Sequence, residues 1–184
     1  IGVKVATVLA DGFAEAGHAG LARERHLRDT CARTGIRIVG PSSLGVVDLR
    51  TKAMLTANAA FDETNLPVGR IFAASHSGSL IGALLSRGKA RGVGFAGLVS
   101  VGNEVDLSLG EICEATLDDP GIDGYMLFLE TMRHADEILA TMDGAIRQLQ
   151  DRPVDQETLD RALVKLRSSL YDSLAQLNGF LALD

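Results

Sequence analysis

The residues with the clearest chemical potential sit in short loops rich in glycine and serine. Ser75-His76-Ser77-Gly78-Ser79 follows a strand-like run, Arg70 to Ala74, and precedes a helical pattern, Leu80 to Arg87. Small hydroxyls and free amides at a helix start suit a phosphate or carboxylate, although a turn closed by an N-cap serine accounts for the same residues. No Gly-Lys-Ser or Gly-Lys-Thr follows, so the loop is not a Walker-type nucleotide cradle. His76 offers an imidazole able to take up a proton or a phosphoryl group near neutral pH, or else a plain polar loop residue or ligand contact. Gly102-Asn103-Glu104, with Asp106, sets a flexible turn and two carboxylates after a strand, where they could orient a phosphate-bearing ligand or a magnesium complex. Glu130 ends the apolar stretch YMLFL, where a carboxylate either holds an imidazolium or caps the strand end.

Other reactive side chains carry weaker signals. Cys31 and Cys113 fall on helical patterns with no local base and read as packed or partly exposed thiols. His18 lies in a glycine-rich loop, His26 on a charged helix and His134 at a helix start, and the four histidines form no zinc spacing. Ser42 and Ser43 follow Gly40-Pro41, a turn that explains a loop with or without a ligand.

Strands and helices must position these loops. Val3 to Ala10 reads as a strand, Leu21, Leu27 and Cys31 mark a helix that Gly35 ends, and Ile36, Ile38 and Val39 form a strand stopping at Gly40-Pro41. Residues 51–67 have weak periodicity and read as a connection across the surface or between domains. Beyond them, Arg70 to Ala74, Ala96 to Ser100 and GYMLFLE are strand candidates, and DLSLGEICEATLDDP carries a short helix that Asp119-Pro120 should end. Such alternation predicts an α/β fold with a mostly parallel, helix-covered sheet. The loops DGFAEAG, GPSSLG, SHSGS, SVGNE and FLET would then share the carboxyl ends of strands, where ligands of such sheets bind. Asp155 and the leucines at 159, 163, 166, 170, 174 and 177 predict a final helix with a packed stripe.

A formal charge of -6 over 184 residues, with no basic run, argues against nucleic-acid binding, and two cysteines cannot staple a small fold. No apolar stretch is long enough to span a bilayer and the first residues lack the pattern of a signal peptide, so a cytoplasmic setting is expected.

Taken in order, these loops resemble the nucleoside-diphosphate-forming (ADP-forming) acyl-CoA synthetases, relatives of the succinyl-CoA synthetase alpha subunit. DGFAEAG at 11–17 is similar to the family's GFxE loop, GPSSLG at 40–45 to GPNCxG, SHSGS at 75–79 to SQSG, and SVGNEVD at 100–106 to SxGNxxD. DDP at 118–120 and FLE at 128–130 resemble its DDP and YLE elements. Ser42 and Ser43 depart from Asn and Cys, and His76 departs from Gln. Residues 150–184 resemble, less specifically, the final helix of an ATP-grasp domain, with LALD at its edge.

The resemblance implies a partial Rossmann-like CoA-binding domain over 1–60, an incomplete flavodoxin-like parallel-sheet domain over 61–143, and a helical tail over 144–184. It implies a ligase that makes an acyl-CoA from a carboxylic acid, CoA and ATP through an acyl phosphate and a phosphohistidine, releasing ADP and phosphate. By carry-over, Glu130 is the catalytic residue orienting that histidine, and Ser75, His76, Ser77, Gly78, Gly102 and Asn103 hold phosphate. Gly12, Phe13, Glu15, Gly40, Pro41, Ser42 and Ser43 border the CoA and acyl site. His18 is not the phosphohistidine, because it belongs to the GFxE loop whereas the family histidine lies downstream of YLE. CoA, ATP and Mg2+ are the implied cofactors, ATP and Mg2+ being expected mainly at sequence outside this chain, and no metal ligand is assigned here. The implied partners are an acyl or carboxylic-acid substrate and an ATP-grasp domain, in the same longer chain or a partner subunit, with a homo-oligomer open. The start at Ile1 and the missing family elements imply pieces of a longer chain or a naturally reduced protein. A noncatalytic CoA- or phosphate-binding regulator on the same scaffold is the alternative, and a flavin-binding redox module lacks a flavin-specific companion to SHSGS.

Overall fold

Two sheets, one of two strands and one of five, organise the computed structural model, which describes residues 2–62, 65–130 and 135–151 together with Gln156 and Asp160. The chain divides into two compact units, Ile1–Ala145 and Ile146–Asp184. The first contains both sheets. In the second, the described residues are helical, and Gln156 Nε2 donates to Asp160 Oδ1 at 2.8 Å, one turn on. Asp155, the leucine stripe and LALD lie outside the described residues, as does His134.

The smaller sheet pairs β1 (Val5–Thr7) parallel to β2 (Arg37–Val39), with α1 (His18–Thr34) crossing between them. This is the expected strand-helix-strand order, although the Val3 to Ala10 pattern contracts to three paired residues. Gly35 ends α1 in the left-handed conformation, φ 71°, and its N–H donates to the Cys31 carbonyl, which explains why the helix stops there.

The larger sheet runs β4 (Ala53–Thr56), β3 (Gly45–Asp48), β6 (Phe95–Ser100), β5 (Val68–Ser75), β7 (Gly124–Phe128). Its centre is parallel, β6–β5–β7, as the apolar strands predict, while β3 joins β6 antiparallel and forms a hairpin with β4. This hairpin is where the structure differs most from the sequence reading. Residues 51–67 contain β4 and a 3-10 turn, Ala59–Asp62, in place of an unstructured connection. Residues 45–56, grouped by sequence with the amino-terminal unit, hydrogen-bond into the sheet of the next one.

Helices cover both faces. α2 (Gly78–Ala90) packs Ile81 and Leu85 on Val47, Ala73, Phe95 and Leu98, whereas α3 (Leu109–Glu114) sets Leu109 and Cys113 on Val39, Phe72, Ala74, Ala96 and Val99. Every residue of β6 is buried, and burying a Leu or Val there contributes about 1.5–3 kcal/mol. α3 ends at Glu114, before Asp119-Pro120, because successive turns at Thr116, Leu117 and Asp119 already redirect the chain. α4 (Ala135–Asp151) is the last described helix, and Thr141 donates to the Gly110 carbonyl at 3.1 Å. Among the described residues, no helix is long and apolar enough to cross a membrane.

Ser108 caps α3 reciprocally, its hydroxyl accepting from Glu111 N–H at 3.0 Å while the Glu111 carboxylate accepts from Ser108 N–H at 3.2 Å. Ser108→Ala should lower unfolding free energy by about 1 kcal/mol, measured by urea denaturation, and Ser108→Thr should retain most of it. Burial pushes the Cys113 thiol up to about 12, so Cys113 should resist a thiol reagent at about pH 8 until the chain is unfolded, as mass spectrometry of labelled peptides would show.

Candidate functional site

Strand register brings the candidate loops to one edge. Ser75 lies opposite both Ser100 and Phe128, and Ser100 lies opposite Gly45, so the carboxyl ends of β5, β6 and β7 coincide with the entry to β3. The loops 76–79, 101–108 and 129–130 therefore leave the sheet beside residues 40–44.

The turn after β5 is shaped from within. Ser75 is fully buried, and its hydroxyl donates to the Ser77 carbonyl at 2.8 Å while accepting Ser77 N–H at 3.0 Å. That leaves Ser77 and Ser79, whose hydroxyl oxygens lie 3.0 Å apart, to face outward on the first turn of α2. Ser77 is the N-cap but makes no side-chain cap bond, and no acidic residue occupies the first turn. The amides and dipole at this end of a 13-residue helix thus favour an anion, with two hydroxyls beside them. Ser79 belongs to the SHSGS loop read from sequence but not to the phosphate-binding residues carried over from the resemblance. Its position two after Ser77, on the first helical turn, is the signal that identifies it.

His76 points the other way. It is buried, its Nδ1 accepts Glu130 N–H at 3.0 Å, and its Nε2 lies 3.2 Å from Glu104 Oε1. The same Glu104 oxygen accepts Leu109 N–H at 2.6 Å. Asp106 is likewise engaged by protein, accepting from Ile38 N–H at 2.7 Å and pairing with Arg37 at 3.0 Å. The two carboxylates of the SVGNEVD stretch therefore serve separate partners, and among the described residues no group of His, Cys, Asp and Glu could hold a metal ion. Glu130 keeps its side chain on an exposed residue at the mouth of the loops.

Residues 38–41 run beside 103–107. Asn103 N–H donates to the Pro41 carbonyl at 2.9 Å, Val105 N–H to Gly40 at 3.0 Å, and Leu107 N–H to Ile38 at 3.0 Å. Gly102 makes this approach possible: it has φ 59°, and a Cβ there would lie 2.0 Å from the Pro41 oxygen. Ser43 is fully buried, its hydroxyl donating to the Ser100 carbonyl at 2.5 Å and accepting Gly45 N–H at 2.9 Å. Ser42 is half-buried, with its N–H on the Ala10 carbonyl. Of this serine pair, Ser43 fixes the loop internally.

The DGFAEAG loop closes on its own glutamate. Glu15 Oε1 accepts Gly12 N–H at 2.5 Å and Phe13 N–H at 2.9 Å, while Oε2 accepts the Asn103 side-chain amide at 2.8 Å. Its own backbone amide first, then those of Phe13 and Gly12 and the Asn103 side chain, hold the Glu15 carboxyl below the usual carboxylate range. Gly12 accepts from Arg23 through its carbonyl, and Phe13 lines an open apolar groove with Ala22, His26 and Leu27. His18 and His26 are both exposed on α1.

Comparison with known proteins places this arrangement. The model of the succinyl-CoA ligase like flavodoxin domain matches residues 68–151. The ADP-forming acetate–CoA ligase I of Archaeoglobus fulgidus is 32% identical over 146 residues, covering 79% of this chain and 21% of that protein. Subunit alpha of the ADP-forming acetate–CoA ligase I of Pyrococcus furiosus is 34% identical over 132 residues, covering 72% of this chain and 28% of the subunit. The chain thus spans between a fifth and a third of these relatives. The dinucleotide forming acetyl-coenzyme A synthetase 1 of Ca. Korarchaeum cryptofilum, solved in complex with phosphate and ADP, superposes with a TM-score of 0.69 at 26% identity, over 78% of this chain and 30% of that one. Residues 68–151 thus match the succinyl-CoA ligase like flavodoxin domain, and most of the chain is similar to parts of ADP-forming acetate–CoA ligases, in sequence and in fold.

Proposed function

We propose that this chain supplies the acyl- and phosphoryl-handling face of an acid–CoA ligase, acting within a longer polypeptide or with a partner subunit. The reaction joins a carboxylic acid to CoA and converts ATP to ADP and phosphate. An acyl phosphate and a phosphohistidine are its intermediates, and acetate is the first acid to test, since the relatives are named for it. The supporting observation is the outward pair Ser77 and Ser79 on the side-chain-uncapped start of α2, ringed by the loops that carry the family resemblance.

The residues present fit a phosphoryl group, because hydroxyls and helix amides are donors aimed where negative charge would gather. In this reading Ser77, Gly78 and Ser79 bind the phosphoryl oxygens, and Glu130 orients the histidine that carries the group. Gly102 and Asn103 keep the adjoining loop close, while residues 12–15 and 40–43 border the CoA and acyl site. The thiolate of CoA attacks the acyl carbon, the carbon–sulfur bond forms, and phosphate leaves with the electron pair of the broken carbon–oxygen bond. ATP and Mg2+ are assigned to an ATP-grasp domain, and a cytoplasmic setting is part of the proposal.

The intact natural polypeptide, with any partner subunit, should convert acetate, CoA and MgATP into acetyl-CoA, ADP and phosphate in equal amounts. Absence of thioester, or release of AMP and pyrophosphate, would refute the assignment. Ser77→Ala combined with Ser79→Ala should lower kcat/KM by roughly ten- to a hundredfold, as expected for lost hydrogen bonds to a charged group. Ser43→Ala should instead reduce stability by about 1–3 kcal/mol, since it leaves Gly45 N–H and the Ser100 carbonyl short of a partner.

Glu15 gives a pH prediction. Its carboxyl is depressed in the folded state, so its contribution is complete above the ordinary glutamate range and disappears as pH falls through the lowered value. The Asn103 side-chain amide resonance should therefore hold its position from neutral pH down into the acid range and shift only at the lowest pH. Glu15→Gln should displace it at every pH.

A further inference from the structure

We propose that His76 and Glu104 are positioning residues, a buried imidazole–carboxylate pair that fixes the backbone of Glu130 against the Ser77–Ser79 turn. Both side chains are almost wholly buried, and both ring nitrogens face protein, which removes His76 from direct contact with a phosphoryl group. Nδ1 accepts Glu130 N–H, so that nitrogen carries a lone pair and the neutral ring bears its proton on Nε2. Nε2 faces Glu104 Oε1, and that oxygen also accepts the amide of Leu109, the first residue of α3. A line of polar contacts thus connects the end of β7, the turn after β5 and the start of α3.

His76 holds β7 twice. Its N–H donates to the Phe128 carbonyl at 3.1 Å, and its ring accepts from Glu130 two residues further on. A side chain at 76 that offers no acceptor would take away the partner of the Glu130 N–H. Glu104 adopts φ 52°, a left-handed backbone that a glutamate rarely takes. That conformation accompanies the inward aim of its carboxylate. The catalytic purpose of the pair rests on the ligase reading; the contacts themselves do not.

Nitrogen-15 NMR on the 184-residue chain separates the two. Long-range proton–nitrogen correlations should show His76 protonated on Nε2. His76→Leu should shift the Glu130 amide resonance and reduce its exchange protection by roughly tenfold or more. His76→Gln, whose side-chain oxygen can accept the same N–H, should restore both. In the intact enzyme His76→Leu should lower kcat by roughly ten- to a hundredfold with KM for CoA unchanged, and His76→Gln should recover most of that loss. A proton on Nδ1, a Glu130 amide indifferent to His76→Leu, or no rescue by His76→Gln would overturn the proposal. A wild-type enzyme that forms no thioester would overturn the ligase reading and the catalytic purpose with it, while the amide measurements still decide the contact.

Discussion

The backbone of residues 101–107 is the constraint on which the rest of this structure depends. It leaves a strand buried along its whole length and passes between two sheets, where main-chain amides and carbonyls must find protein partners. Val101 N–H reaches the Ser75 carbonyl, and Asn103, Val105 and Leu107 alternate onto Pro41, Gly40 and Ile38. Side chains complete the pattern: Asn103 meets Glu15, Glu104 meets His76, Asp106 meets Arg37, and Arg28 donates to the Val105 carbonyl at 3.1 Å. Each loop with a proposed role in binding touches this segment or a residue that does. The site is held together by a peptide that contributes little surface of its own.

Backbone partnership also explains which chemistry each polar side chain retains. Asp106 answers an amide and the Arg37 cation, Glu104 an amide and the His76 imidazole, and Ser43 and Ser75 answer backbone carbonyls and amides. The groups left facing outward are the hydroxyls of Ser77 and Ser79 and the carboxylate-bearing Glu130. An anion-binding turn is thus assembled by using some of the family-like residues as internal supports. Loop motifs mix both kinds, and only contacts distinguish them.

Much of the architecture was legible in the sequence because it is local. The α1 stop at Gly35, the parallel centre β6–β5–β7 and the helices after SHSGS and SVGNEVD follow from periodicity, glycine and capping signals. The loop order also carried the family resemblance. The β3–β4 hairpin escaped because its strands are four residues each, β4 is mostly exposed, and antiparallel pairing to β6 is non-local. The inward turn of His76 was equally hidden. Its two partners lie 54 and 28 positions away, and nothing in SHSGS reports a backbone amide or carboxylate waiting at that distance.

The hairpin bears on how separable the parts of this chain are. Because β3 borders β6, a cut between the amino-terminal crossover and the flavodoxin-like domain at about residue 60 would expose one side of β6 along Gly97–Ser100. It would also strip the 103–107 peptide of its carbonyl acceptors. The matched domain, residues 68–151, therefore leaves out residues 37–48, which supply a strand to its sheet and carbonyl acceptors to the 103–107 peptide. Inheritance of this domain as a transferable module would carry that preceding stretch along with it.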